Sequence, residues 1–219
     1  MWSVLLTQTL ILAGNFMKLI TAWFLMLVVS MPAFAAGERS FGAFELLGKE
    51  WFVVSLSDVE AAKGVVHDGD RLEFKVAEQE ISQRRFQTLW TDALSSSGAD
   101  IQLHRFGTDM KTFFGAIKGP LEQGDYLALE RQGKVAVLTI NHYEHAILSG
   151  EFMDMVVAAL TDRIAPIPVL RQGLTNEISQ LDRRKLERRF TNEDVSLGRV
   201  NQTARWLRYD NDNSSVSQL

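Results

Sequence analysis

No cysteine occurs among the 219 residues. Disulfide bridges, thiolate nucleophiles, iron–sulfur clusters and cysteine-ligated zinc are excluded together by that one absence. Proline is scarce, with 4 residues, and the 15 glycines form no low-complexity tract. No segment recurs at the fixed spacing of a solenoid or propeller. Basic charge is also short: 23 lysines and arginines stand against 27 acids, for a net charge of −4. A chain with this balance has no global attraction for polyphosphate, so no nucleic-acid partner is expected. Neither Gly-x-Gly-x-x-Gly nor Gly-x-x-x-x-Gly-Lys-[Ser/Thr] is present, which removes the backbone cradles used for nucleotide phosphates. No cofactor is implied. Histidine, carboxylates, hydroxyls, lysine and arginine remain for chemistry.

What the sequence does contain begins with an address. Residues 1–35 hold a single charge, Lys18, followed by an apolar run over 19–29 broken only by Thr21. Ala33, Phe34 and Ala35 then place small residues on either side of a bulky one, the pattern of a signal-peptidase site. The expectation is a signal peptide over 1–35, translated from Met17, cleaved near Ala35 or Ala36, and an exported, periplasmic protein. The alternative is an N-terminal membrane anchor, since the apolar residues suffice to span a bilayer. Removing 1–35 leaves 22 basic residues against 27 acidic ones. An exported chain without cysteine must fold by packing alone.

The runs 41–47 and 51–56, separated by Gly48-Lys49-Glu50, read as a hairpin of two well-buried strands. Strict alternation over 72–76 (Leu72, Glu73, Phe74, Lys75, Val76) predicts a strand with one wet face. Ile81, Arg85, Phe86, Leu89, Trp90, Ala93 and Leu94 then lie on one helical stripe that ends at Ser95-Ser96-Ser97-Gly98. A second stripe of Met110, Phe113, Phe114 and Ile117, capped by Thr108 or Asp109, stops at Gly119-Pro120. Strands over 125–130, 134–140 and from His145 form a meander. A third helix carries Phe152, Met155, Val156, Ala159 and Leu160 and ends at Pro166 and Pro168. This order predicts an α+β fold, with helices covering one face of a mainly antiparallel sheet, over 36–174. Residues 175–219 read as a separate tail. In it Ile178, Leu181, Leu186 and Phe190 oppose Arg183, Arg184, Lys185, Arg188 and Arg189. That segment is either a solvated helix along the domain or a contact for a protein or membrane surface through 176–219.

Candidate chemistry is sparse. His142-Tyr143-Glu144-His145 offers metal-ligand types, but residues three apart on a strand point to opposite faces, so no metal is expected. His67 and His104 read as surface residues. Gly-x-Ser-x-Gly is absent, and no serine is set up as a nucleophile.

The segment 71–90, RLEFKVAEQEISQRRFQTLW, resembles the strand-into-helix segment of exported bacterial chalcone isomerase-like proteins. FGAIKGPLEQGDYLAL over 114–129 and residues 152–174, with IAPIP at 164–168, are similar to later parts of that family. The resemblance implies an open-faced β-sandwich, a large antiparallel sheet covered by helices, with a ligand cleft between the layers. It does not carry over isomerase activity. The family's arginine, threonine, tyrosine and asparagine fall on Gly42, Val54, Ile81 and Thr88, a set that cannot stabilise an oxyanion. A shifted register would bring in Arg39 or Ser55. Plant relatives that bind fatty acids use the same arginine and tyrosine, which weakens a direct transfer of that property as well.

The expectation is a non-catalytic exported protein that binds an apolar or amphipathic small molecule such as a lipid or fatty acid. Trp51, Phe113 and Phe114 are the candidate lining and Arg85 the candidate anion contact. The alternatives are an interaction module working through the Arg-rich tail, and an enzyme of unrelated chemistry.

Overall fold

The computed structural model describes residues 38–58, 60–99, 104–192 and 194–207, without the side chains of residues 98 and 99. The signal-peptide and cleavage expectations fall on residues outside this range. Six strands form one sheet in the order β1 (Ser40–Leu46), β2 (Lys49–Leu56), β3 (Arg71–Val76), β6 (Tyr126–Gln132), β7 (Val135–Ile140), β8 (Tyr143–Ser149). Every neighbouring pair is antiparallel. A two-strand ladder of β4 (Glu80–Ile81) and β5 (Leu121–Glu122) stands beside it. The fold is α+β with a large antiparallel sheet.

The first hairpin turns through Leu47 and Gly48 with φ of 58° and 71°, and the last through Asn141 and His142 with φ of 46° and 74°. Two successive positive φ values suit the right-handed twist of a two-residue hairpin. Leucine is an uncommon residue for that conformation, whereas asparagine and histidine are among the side chains that adopt it most readily. Both outer ladders also carry a bulge. In β2 the register passes from Phe52 opposite Phe44 to Glu50 opposite Glu45, leaving Trp51 as the extra residue. In β8 it passes from Ala146 to Glu144, leaving His145. A bulge breaks the period of two, which is how consecutive Trp51 and Phe52 both reach the helix-side core.

Three helices cover that side. α1 (Gln83–Leu94) begins at Ser82, whose side chain accepts from the Arg85 N–H, and it buries Phe86, Leu89, Trp90, Ala93 and Leu94. Ile81 lies outside the helix, in β4. The chain does not stop at the serines but continues as a π-helical turn, Ser95–Ala99. α2 (Gly107–Gly115) has no side-chain cap. The Asp109 carboxylate instead accepts from Ser149 N (2.9 Å) and Oγ (2.7 Å). Ser149 in turn caps α3 (Gly150–Thr161), so one carboxylate links the starts of two helices. Pro168 does not terminate α3; it opens α4 (Pro168–Leu174), where a missing N–H costs no hydrogen bond.

Between the layers, Phe44, Phe52, Phe74, Phe86, Trp90, Phe113 and Phe152 interlock, with Trp90 edge-on to Phe74 at 4.9 Å. Each fully buried ring contributes about 2–3 kcal/mol of transfer free energy. α4 closes the β1 edge. A Cβ at Gly42 would lie 2.6 Å from the Leu170 carbonyl oxygen, and one at Gly173 would lie 2.5 Å from Gly42 Cα. The two glycines therefore let helix backbone rest directly on strand backbone.

The far side of the sheet differs from expectation. Glu73 and Lys75, predicted on a wet face, are 4% and 7% exposed, because α5 (Gln180–Asn192) lies across this end of the sheet. Its Phe190 packs with Phe41, at 5.7 Å between ring centres, and with Val53. Arg183 donates to Glu38 and to the Arg39 carbonyl (2.8 Å), and Arg189 pairs with Glu50. α6 (Leu197–Ala204) is anchored more deeply. Arg199 donates from Nε (2.9 Å) and Nη2 (2.6 Å) to the wholly buried Asp125, which also accepts from Asn141 (2.8 Å). Burial pulls the Arg199 pKa down, but the Asp125 hydrogen bond and the Asp125 and Glu122 charges outweigh it and leave the pKa raised. Trp206 joins the main core. Of the two readings of the tail, a helix along the domain or a contact for another surface, these contacts fit the first: α5 and α6 pack on the domain.

Candidate functional site

The bulge at Trp51 sets the geometry of the site. Trp51 is 7% exposed and donates from Nε1 to the Leu46 carbonyl (3.2 Å). Lys49 Nζ lies 4.9 Å and the Arg85 guanidinium carbon 5.5 Å from its ring centre. Cations at these distances are attracted to the negative face of an indole. Lys49 also pairs with Glu78 (2.9 Å) and, through that hydrogen bond, holds the Glu78 carboxyl below the usual carboxylate range. Neither Arg84 nor Arg85 forms an ion pair with a carboxylate among the described residues. Around the first turns of α1, Ser82, Arg84, Arg85 and Thr88 line an open hollow of about 320 Å³. Thr88 donates its hydroxyl to the Arg84 carbonyl (3.0 Å), while Ser82 accepts from Arg85 N (3.2 Å) and keeps its O–H to donate.

The four residues singled out from sequence fall into two pairs. Trp51 and Arg85 come together in the contact just described. Phe113 and Phe114 meet the next residue of α1, with ring centres 5.6 and 6.2 Å from Phe86. Phe113 is fully buried, and Phe114 packs against the core from its rim.

Gly42 and Val54 are direct partners across β1 and β2. Val54 and Ile81 are buried, while Thr88 is exposed. The backbone of α4 occupies the space that a side chain on Gly42 would need. Arg39 and Ser55 hydrogen-bond to one another (2.7 Å), and Arg39 also donates to Glu73, on the face that α5 covers.

A half-buried cluster there, centred on the buried Glu73, was not visible in the sequence. Arg71 donates to the Tyr126 hydroxyl (2.9 Å), and that hydroxyl donates to Glu73, which Arg39 also reaches. Burial pushes the Tyr126 phenol up from its usual 10.0. Burial likewise pulls the Arg39 guanidinium down. The signal in the sequence was the pair of charges alternating within 72–76; what it lacked was the covering Phe190.

His142 and His145 have different aromatic neighbours. His142 stacks on Tyr126 (5.8 Å), and His145 meets the edge of Trp206 (6.3 Å). Among the described residues no group of three or more metal-ligating side chains converges. A second hollow, of about 400 Å³, lies between α2 and β8. No helix among the described residues is long and apolar enough to cross a membrane.

No family model matches the sequence, and no characterised protein matches it in sequence. Among solved structures, the chain is similar to a fatty-acid binding protein of Arabidopsis thaliana, with a TM-score of 0.49 and 7% identity over 65% of this chain and 86% of that one.

Proposed function

We propose that this protein binds an amphipathic small molecule with one anionic group, such as a fatty acid or a lipid, and performs no chemistry on it. The observation that carries the reading is the Arg85 guanidinium, which lines the hollow on α1 and lies over the Trp51 ring, a ring that Lys49 also approaches. A guanidinium without a carboxylate partner gives an anion a partner, and the 7% of Trp51 left exposed beside it offers a hydrocarbon chain a small apolar edge. The volume is at the low end for small-molecule sites, which suits a headgroup and the first methylenes. No imidazole or carboxylate lines the hollow, so nothing there is placed to move a proton.

We place this binding outside the cytoplasm, after loss of residues 1–35. Partner contact through 176–219 has less to work with. Arg183 and Arg189 are turned to Glu38 and Glu50, which leaves Arg184 and Arg188 facing out.

Tryptophan emission during titration with decanoate, beside decanol, tests the reading. Decanoate binds and decanol does not, Trp51→Phe removes the signal, and Arg85→Ala weakens decanoate about tenfold or more, as loss of a charge-assisted hydrogen bond does. Equal affinity for acid and alcohol, or full affinity in Arg85→Ala, overturns it.

A further inference from the structure

The hollow between α2 and β8 plays no part in the reading above. α2 carries two stripes. Met110, Phe113, Phe114 and Ile117 pack on the core, whereas Thr108, Lys111, Thr112 and Gly115 repeat at i, i+3, i+4 and i+7 and line the hollow. Lys118, just beyond the helix, lies on the same wall. The facing wall is His145 and Ala146 of β8, and His145 is there as the extra residue of the bulge. In a chain with net charge −4, this hollow is lined by two lysines, a histidine and two threonines, and by no acid. The remaining lining residues, Gly115, Ala116 and Ala146, are small.

We propose that this hollow binds the phosphate group of a small soluble phosphate monoester. Lys111 supplies a point charge, and the Thr108 and Thr112 hydroxyls supply neutral donors around a tetrahedral group, with Lys118 and His145 on the adjoining walls. The lining holds no arginine fork, the device that matches a planar carboxylate in two parallel bonds. Lysine with hydroxyls instead suits an anion that presents several oxygens in different directions.

Gly115 provides a test that leaves the fold intact. A Cβ there meets nothing within 4 Å, and the residue is absent from the positive-φ positions, so a side chain grows into the hollow. Amide resonances of the full chain are followed during titration with inorganic phosphate and with glycerol 3-phosphate, at constant ionic strength. Both probes shift Thr108, Lys111, Thr112, His145 and Ala146 saturably. Lys111→Ala weakens glycerol 3-phosphate about tenfold, Gly115→Glu abolishes binding with no fall in melting temperature, and Arg85→Ala leaves it untouched. No saturable shift at these residues, or an undiminished one in Gly115→Glu, overturns the proposal. So does binding confined to phosphatidate vesicles with no response to the soluble ester.

Discussion

Gly173→Ala sets two effects of opposite sign against each other. Position 173 lies within α4, where alanine is favoured over glycine by about 1 kcal/mol. The new Cβ, however, would lie 2.5 Å from Gly42 Cα and overlap the Phe41 carbonyl oxygen, both of them backbone atoms of β1. Ordinary contact requires the helix to rise by about 1 Å, which forfeits a quarter to a half of the dispersion at each contact it opens. Leu170 and Leu174, wholly buried on either side, would loosen with it. Overpacking of this kind costs about 1–3 kcal/mol. The backbone cannot turn aside as a side chain could, so the upper part of that range applies. The net result is a loss of about 1–2 kcal/mol after the helix gain. Urea unfolding measures it as a lower midpoint at unchanged slope. Gly115→Ala, where nothing crowds a Cβ, serves as the control and gains up to about 1 kcal/mol. A Gly173→Ala midpoint at or above the parent would refute the close approach of α4 to β1.

Arg199→Met leaves the buried Asp125 carboxylate without its ion-pair partner and lowers stability by about 3–5 kcal/mol. Adding Asp125→Asn recovers a large part of that loss in the same urea assay, and identical single and double variants would contradict the pairing. Leu47, 87% exposed with φ of 58°, gives nothing to packing and carries turn strain, so Leu47→Asn raises stability by about 0.5–1 kcal/mol. An unchanged midpoint would count against strain at that turn. The raised Tyr126 pKa means that the folded state holds the phenolic proton more tightly than the unfolded chain does. Its contribution is complete below pH 10.0 and fades as pH rises through the folded value. Tyr126→Phe therefore flattens the alkaline fall in stability, and an identical slope in both proteins would be inconsistent with a buried phenol.

Elements whose pattern closes within a few residues were legible in the sequence. The first hairpin, the meander of β6, β7 and β8, and the stripe of Phe86, Leu89, Trp90, Ala93 and Leu94 each follow from a local period. The errors share a cause. Glu73 and Lys75 looked wet because the helix that covers them lies more than a hundred residues later. The contacts that fix α5 and α6 were not legible, because the partners of Arg199 and Phe190 are Asp125 and Phe41, far back in the chain. Pro168 reads as an ending in the sequence because a proline that opens a helix and one that follows a helix look alike. At the candidate site, Trp51 and Arg85 were each visible as types, but the bulge that brings them to 5.5 Å is a register event between strands. No single-strand pattern encodes it.

Native mass spectrometry of protein purified without delipidation, run beside the same sample after denaturing extraction, tests the binding reading most directly. A reproducible added mass that disappears on extraction, is identified as an anionic amphiphile, and is diminished in Arg85→Ala is the predicted result. A bare mass from repeated preparations that also fails to take up added decanoate would contradict it.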